Sequence, residues 1–452
     1  MYQPPQAPPR PTTPLGTAPP AAPTLDLPLP PEPQSIEQTG LYVGFLADLA
    51  LKTLYLRGQM TLAEIASALG LPIGNVTEKV MEFLKGERLV EIRGGSGLSS
   101  ASYQFVIVDR GAEKAQEALQ RSQYVGKAPV PLSAYVAAVQ RQSIGNVSVT
   151  QEEVAKAFAS MVIPRATLGQ LGPAINSGRS IFLFGPPGNG KTTIAEIMVS
   201  LLRGEVVLPY AVEIDQQVIK VFDQVYHRPI IDPAAAERLR YDHRWVASKR
   251  PVVMTGGELT LETLDLIYDP TSKMYEAPFQ MKANGGIFMI DDFGRQRVSP
   301  RDLLNRWIVP LEKRVDYLTL HTGKKIEIPF DMLIVFSTNL DPADLVDEAF
   351  LRRIRYKIGI ESPTVEQYEE IFKRMCARKG LEYKAEALSQ ILAFYRRKNL
   401  PLRSCHPRDL IEQLTDNARF LGQPPMLTPP LIELACDSYF VSLDASGAQK
   451  GA

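Results

Sequence analysis

The apolar positions of this chain change period several times, and each change predicts a boundary. From about residue 40 they recur at helical spacing in GLYVGFLADLALKTLYLRG, in TLAEIASALG, where Thr61 stands where an N-cap would, and in LPIGNVTEKVMEFLKGERL. The stretch LVEIRGGSGLSSASYQFVIV then predicts two short strands around a Gly/Ser-rich tip, and VDRGAEKAQEALQRS a closing helix. Residues 124–150 carry few strong signals and read as a linker. A helical stretch from 151 runs into SIFLF, an apolar run short enough for a buried parallel strand. From there to 361, helical and apolar-strand patterns alternate, which predicts an α/β core with a parallel sheet and crossover helices. Strand patterns stop at 362, and four amphipathic stretches up to 445 predict a helical lid, followed by a flexible tail at 446–452. The first 36 residues are rich in proline and alanine and predict a disordered arm that acts as a spacer.

Charge narrows the partners. The 452 residues hold 50 Lys plus Arg against 50 Asp plus Glu, so no global field draws the chain onto nucleic acid or anionic lipid. Three helices followed by a hairpin, over residues 37–123, resemble a winged helix-turn-helix, whose helix at about 73–85 could enter a DNA groove. Here Glu78, Lys79, Glu82, Lys85, Glu87 and Arg88 nearly cancel, and the tip is uncharged, so a protein-binding or structural wing is favoured over DNA binding. The longest apolar runs fall far short of the roughly 20 residues that span a bilayer, so no direct membrane insertion is expected. Cys376, Cys405 and Cys436 form no CxxC pair, which suits a reducing, cytoplasmic setting.

The chemistry begins at GPPGNGKT, residues 185–192, between the predicted strand SIFLF and the helical TTIAEIMVSLL. That strand–loop–helix context is what a phosphate-binding loop requires. Gly185, Gly188 and Gly190 let the backbone turn its amides inward, with Pro186, Pro187 and Asn189 completing the loop, and the helix adds its positive end. Lys191 would reach β- and γ-phosphate oxygens, the Thr192 hydroxyl would ligate Mg²⁺, and Thr193 could touch the α-phosphate. The implied ligands are ATP and Mg²⁺. Downstream, GGIFMIDDFGR predicts a buried strand that delivers Asp291 toward Mg²⁺ and Asp292 to the place where a base polarises water.

These two motifs, in this order, resemble the AAA+ ATPases, in which the acid pair is normally Asp-Glu. Aspartate is about 1.5 Å shorter in reach, which puts the rate of turnover rather than nucleotide binding in question. The resemblance implies that Asn339, at the end of the strand in PFDMLIVFSTNLDP, orients the same water. It implies an arginine finger at Arg353, with Arg352 as second choice, serving the neighbouring subunit of a ring, most simply a hexamer. It also makes Arg408, in HPRDLIEQL, the lid arginine that answers to the γ-phosphate. The stretch YEAPFQMKANGGIFMIDDFGR with LLNRWIVPLE is similar to the MoxR, chelatase and transcription-activator clade, and the whole chain to a bacterial group of winged-helix AAA+ ATPases. Tyr275 and Phe279 could then grip a partner, although buried packing is the simpler reading. His227, His406 and Cys405 lack companions for a metal or nucleophile site and read as structural. The function implied is a ring-forming remodelling or assembly ATPase acting on a protein. The alternatives are a nucleotide-gated DNA-binding regulator and a non-hydrolysing ATP-dependent scaffold.

Overall fold

The computed structural model describes residues 29–95, 100–232, 235, 239–345 and 348–440. The bulk of the Pro-rich arm, the tip of the hairpin and the C-terminal tail lie outside the described residues. The end of the arm, residues 29–36, is packed: Leu29 lies against a hydrophobic cluster, and the carbonyl of Pro30 accepts the Asp242 amide at 2.8 Å.

Helices Val43–Arg57, Leu62–Leu69 and Glu78–Gly86 form the first unit, with a small sheet in which Tyr103–Ile107 lies between Met60–Thr61 and Val90–Gly95. Thr61 caps its helix as expected, in a full capping box with Glu64. The third helix begins later than its apolar spacing suggests. Gly74 is extended and Asn75 is left-handed at φ 54°, so the Ile73–Thr77 stretch forms a wide turn ahead of Glu78. Helix Asp109–Arg121 closes the unit against the first helix.

The central sheet has five parallel strands in the spatial order Val252–Thr255, Ile287–Ile290, Leu333–Thr338, Ser180–Phe184 and Tyr356–Gly359. Both faces are buried, and side chains alternate between them. Ile181, Leu183, Met289 and Val335 pack with helices Arg165–Asn176 and Lys191–Leu201 on one side, while Phe182, Phe288, Ile334 and Phe336 meet Trp307 of helix Pro300–Lys313 on the other. This is an α/β P-loop sheet. Every strand runs the same way, so the residues that follow Phe184, Ile290 and Thr338 gather at one edge.

Two stretches depart from the sequence reading. Residues 124–150, expected to be a linker, contain helix Leu132–Arg141, with Tyr135, Ala138 and Val139 buried. Residues 205–276 are not strand–helix alternations. They hold strands Glu205–Pro209, Ala211–Ile214, Gln217–Lys220, Trp245–Lys249, Ile267–Asp269 and Met274–Glu276, mostly antiparallel. Asp215 and Gln216, both left-handed, form a two-residue hairpin turn that joins two of them. The buried face of helix Leu132–Arg141 packs on these strands, which is why it is not a free tether.

The first unit and this strand layer are tied through Arg244, which a buried ion pair with Asp242 holds in place. Arg244 and Asp242 side chains are 5% and 4% exposed and 2.7 Å apart, and Arg244 also donates to the Thr39 carbonyl at 2.8 Å. Removing one partner strands a buried charge, so Arg244→Ala is expected to cost about 3 kcal/mol. Chemical denaturation read at the first unit checks this, and an unchanged midpoint contradicts it.

Helices Val365–Arg378, Ala385–Lys398, His406–Phe420 and Pro429–Tyr439 form the expected C-terminal bundle around Phe372, Ile391, Leu414 and Ile432. Among the described residues no helix is long and apolar enough to cross a membrane.

Candidate functional site

Three loops at the carboxyl edge of the sheet build the site. The loop after Ser180–Phe184 carries Gly185, Gly188 and Gly190 at φ 133°, 77° and 87°, conformations that disfavour a side chain. Space demands glycine as well. A Cβ on Gly185 would stand 2.4 Å from the Ile360 carbonyl oxygen, and one on Gly188 2.6 Å from Cys405 Sγ. Lys191 opens helix Lys191–Leu201, and its ammonium does not swing free. It donates to the carbonyls of Gly185 (2.9 Å) and Pro186 (3.1 Å) and to Asn339 Oδ1 (2.6 Å). Only 7% of the residue is exposed, and burial lowers its pKa against the opposing pull of Asp291 and Asp292.

Thr192 donates to Asp291 Oδ2 at 2.9 Å. A hydroxyl and a carboxylate oxygen so placed are the hard donors Mg²⁺ prefers when phosphates and water supply the remaining ligands. Among the described residues no group of three or more His, Cys, Asp or Glu could hold a metal ion, so the fit rests on this pair. Asp292 follows in a left-handed conformation, φ 48°, and its Oδ1 accepts Asn339 Nδ2 at 3.0 Å. Asn339 therefore bridges Lys191 and Asp292. The resemblance sets Asn339 and Asp292 at one water, but their direct contact and the bridge to Lys191 come from the adjacency of the Ile287–Ile290 and Leu333–Thr338 strands.

Beside the loop lies a cavity of about 410 Å³ lined by Met161, Ile163, Asn189, Thr193, Ile360, Met375 and Arg408 among others. Its walls are more apolar than polar and come from the sheet domain and the bundle together, which suits a flat ring with a few polar groups around it. The bundle also grips the loop itself. The Cys405 amide donates to the Gly188 carbonyl at 2.9 Å, and the Ser404 amide to Asn189 Oδ1 at 3.1 Å. Arg403 donates to Ser362 at 3.2 Å, and its charge also acts to lower the Lys191 pKa. Sequence reasoning missed Arg403 and the Asn189 contact, because nothing in RSCHPRDL marks which arginine turns toward the loop. Arg408 lines the cavity, but its guanidinium is paired with Asp409 at 2.9 Å and is mostly exposed.

Residues 364–438, which make up most of this bundle, match a family model described as a domain of unknown function, DUF8689. No curated protein matches the sequence. Among solved structures, a RuvB variant of Thermotoga maritima is similar at 16% identity over 64% of this chain and 70% of that one, with a TM-score of 0.34. NtrX from Brucella abortus in complex with ADP is similar at 16% identity over 71% of this chain and 64% of that one, with a TM-score of 0.37. The fold is fixed by the strand order and the loop geometry rather than by these distant likenesses.

The other singled-out residues sit elsewhere. Arg353 is joined to Glu312 at 2.6 Å and Arg352 is exposed; neither lines the cavity. Tyr275 is buried with its hydroxyl on His321, and Phe279 packs on Tyr226 and Phe288, so these aromatics belong to the interior rather than to a gripping loop. His227 is buried between the Asp223 amide and the Lys282 carbonyl.

His406 Nδ1 lies 2.6 Å from the Tyr395 hydroxyl, and burial pushes the ring's pKa down to about 4, with Arg403 adding to the effect and Asp409 opposing it. The folded state therefore holds the neutral ring while the unfolded chain protonates near 6.5. This contribution to stability is present above pH 6.5 and is lost as pH falls toward 4. The melting temperature should drop less over that interval in His406→Gln than in wild type; parallel curves contradict the assignment.

Proposed function

We propose that this chain is an AAA+ ATPase that binds Mg²⁺-ATP at this edge, hydrolyses it slowly, and works as a ring-forming remodelling or assembly factor on a protein partner. The observation that carries the reading is the convergence of Lys191, the Thr192–Asp291 pair and the Asp292–Asn339 pair at one end of a parallel sheet. On this reading the backbone of residues 185–190 and Lys191 hold the β- and γ-phosphates, with the ring of the nucleotide in the adjoining cavity. Thr192 and Asp291 would hold Mg²⁺, which when bound neutralises phosphate charge. Asp292 and Asn339 then fix the attacking water, and Asp292 takes its proton.

Arg353 would serve the site of the next protomer, which requires exchange of its present partner Glu312 for a phosphate. The bundle's hydrogen bonds to Gly188 and Asn189 offer a direct route from the state of the loop to the position of the lid. The first unit has the helix and hairpin order of a winged helix, and its balanced charges favour a protein client over DNA. A non-hydrolysing scaffold is the second reading, favoured by the short Asp292 carboxylate already engaged by Asn339.

Hydrolysis measured against protein concentration, with mass photometry on the same samples, tests the ring. Specific activity should rise as larger species form, and Arg353→Ala mixed with Asp292→Asn should recover activity that neither has alone. Activity independent of concentration, with no rescue in mixtures, contradicts shared sites.

A further inference from the structure

The turn that presents Asp292 is held by a side chain that no motif marks. Asp292 has φ 48°, a region that few residues other than glycine enter. Its carboxylate still meets Asn339 although it is one methylene shorter than a glutamate would be. Three hydrogen bonds from one residue keep the backbone there. Gln296 Nε2 donates to the carbonyls of Asp291 (2.8 Å) and Asp292 (3.1 Å), and Gln296 Oε1 accepts the Gly294 amide at 2.8 Å. The Asp292 carbonyl also accepts the Arg295 amide at 2.9 Å, and the Phe293 amide is tied to the Ser337 carbonyl at 2.7 Å. The far side of the turn is fixed by contact: a Cβ on Gly294 would come within 2.6 Å of Leu345.

We propose that Gln296 is a positioning residue for hydrolysis: it holds the 291–294 turn so that the short carboxylate of Asp292 stands beside Asn339, where the attacking water would be activated. This rests on the ATPase reading. The left-handed backbone aims the short carboxylate at Asn339, and Gln296 satisfies the two carbonyls and the amide that the turn exposes. The role needs both ends of the amide. In Gln296→Glu the side chain keeps its length and can accept from Gly294, but a carboxylate cannot donate to two carbonyls.

Steady-state kinetics and binding of a fluorescent ATP analogue, on the full chain, test this with Gln296→Ala, Gln296→Glu, Asp292→Asn, Lys191→Ala and the double variant Gln296→Ala/Asp292→Asn. The proposal expects kcat to fall about tenfold in both Gln296 variants, as displacement of a reacting group predicts, with KM and analogue affinity within about twofold of wild type. Adding Gln296→Ala to Asp292→Asn should cost nothing further, because Gln296 acts through Asp292. A merely structural glutamine would lower analogue affinity and the melting temperature together, and its loss would add to that of Asp292→Asn; either result overturns the proposal. Unchanged kcat in Gln296→Ala overturns it alone. A wild type no faster than Lys191→Ala sinks the ATPase reading and this proposal with it.

Discussion

Lys191→Ala is expected to lower kcat/KM for ATP by about 10³-fold while leaving the fold in place. The magnitude follows from the local charge. Asp291 and Asp292 flank the loop, and the Lys191 ammonium is the group that offsets them where a polyphosphate would lie. Without it, two carboxylates face the incoming phosphates with no side-chain cation hydrogen-bonded within the loop to offset them. Stability should move little, since Lys191 itself is buried at a cost and its three acceptors can turn to water. Loss of nucleotide binding with an unchanged melting temperature fits; unchanged binding contradicts the phosphate-loop assignment outright.

Asp292→Asn separates binding from chemistry. The amide keeps the size and can still meet Asn339, but it cannot take a proton from water, so kcat should fall about 10²- to 10³-fold with nucleotide affinity retained. The comparison with Asp292→Glu is informative. The left-handed backbone is matched to the shorter side chain, so adding a methylene should not restore a faster enzyme without a change in the turn. Rapid-quench measurement of the phosphate produced, alongside equilibrium binding, checks both. If Asp292→Asn hydrolyses as wild type does, the base lies elsewhere or hydrolysis does not use one.

The sheet and the residues that it places at its carboxyl edge were legible because they depend on local patterns. SIFLF, IFMI and LIVFST are mostly apolar, with small hydroxyl residues at the ends of two of them, as strands buried on both faces tend to be, and the residues that follow each one must land on the same edge once the strands are parallel. The lid was legible from helical spacing alone. The antiparallel layer was not. Its hairpin turns at Asp215–Gln216, a pair without the glycine that usually marks a two-residue turn, and strands such as Ala211–Ile214 and Gln217–Lys220 are too short for their alternation to stand out. Helix Leu132–Arg141 looked like a linker because the partner that buries it lies some seventy residues away or more.

Within the site, the sequence and the resemblance put Thr192 with Asp291 and Asn339 with Asp292, while the contacts of Lys191 with Asn339 and of the bundle with the loop were not readable. That Lys191 and Asp292 share Asn339 depends on strand order, and that Gly188 must be glycine depends partly on Cys405 standing against it from the bundle. Arg403 and Arg408 are five residues apart and chemically identical in sequence. Only packing turns one toward Ser362 and pairs the other with Asp409.

Single-turnover hydrolysis, with enzyme in excess over radiolabelled ATP and Mg²⁺ present, tests the central claim most directly, because it registers even one slow event per site. The account predicts a phosphate burst from wild type that approaches one per bound nucleotide, and none above background from Asp292→Asn under conditions where both bind. A wild-type trace that coincides with Lys191→Ala over the life of the protein contradicts it.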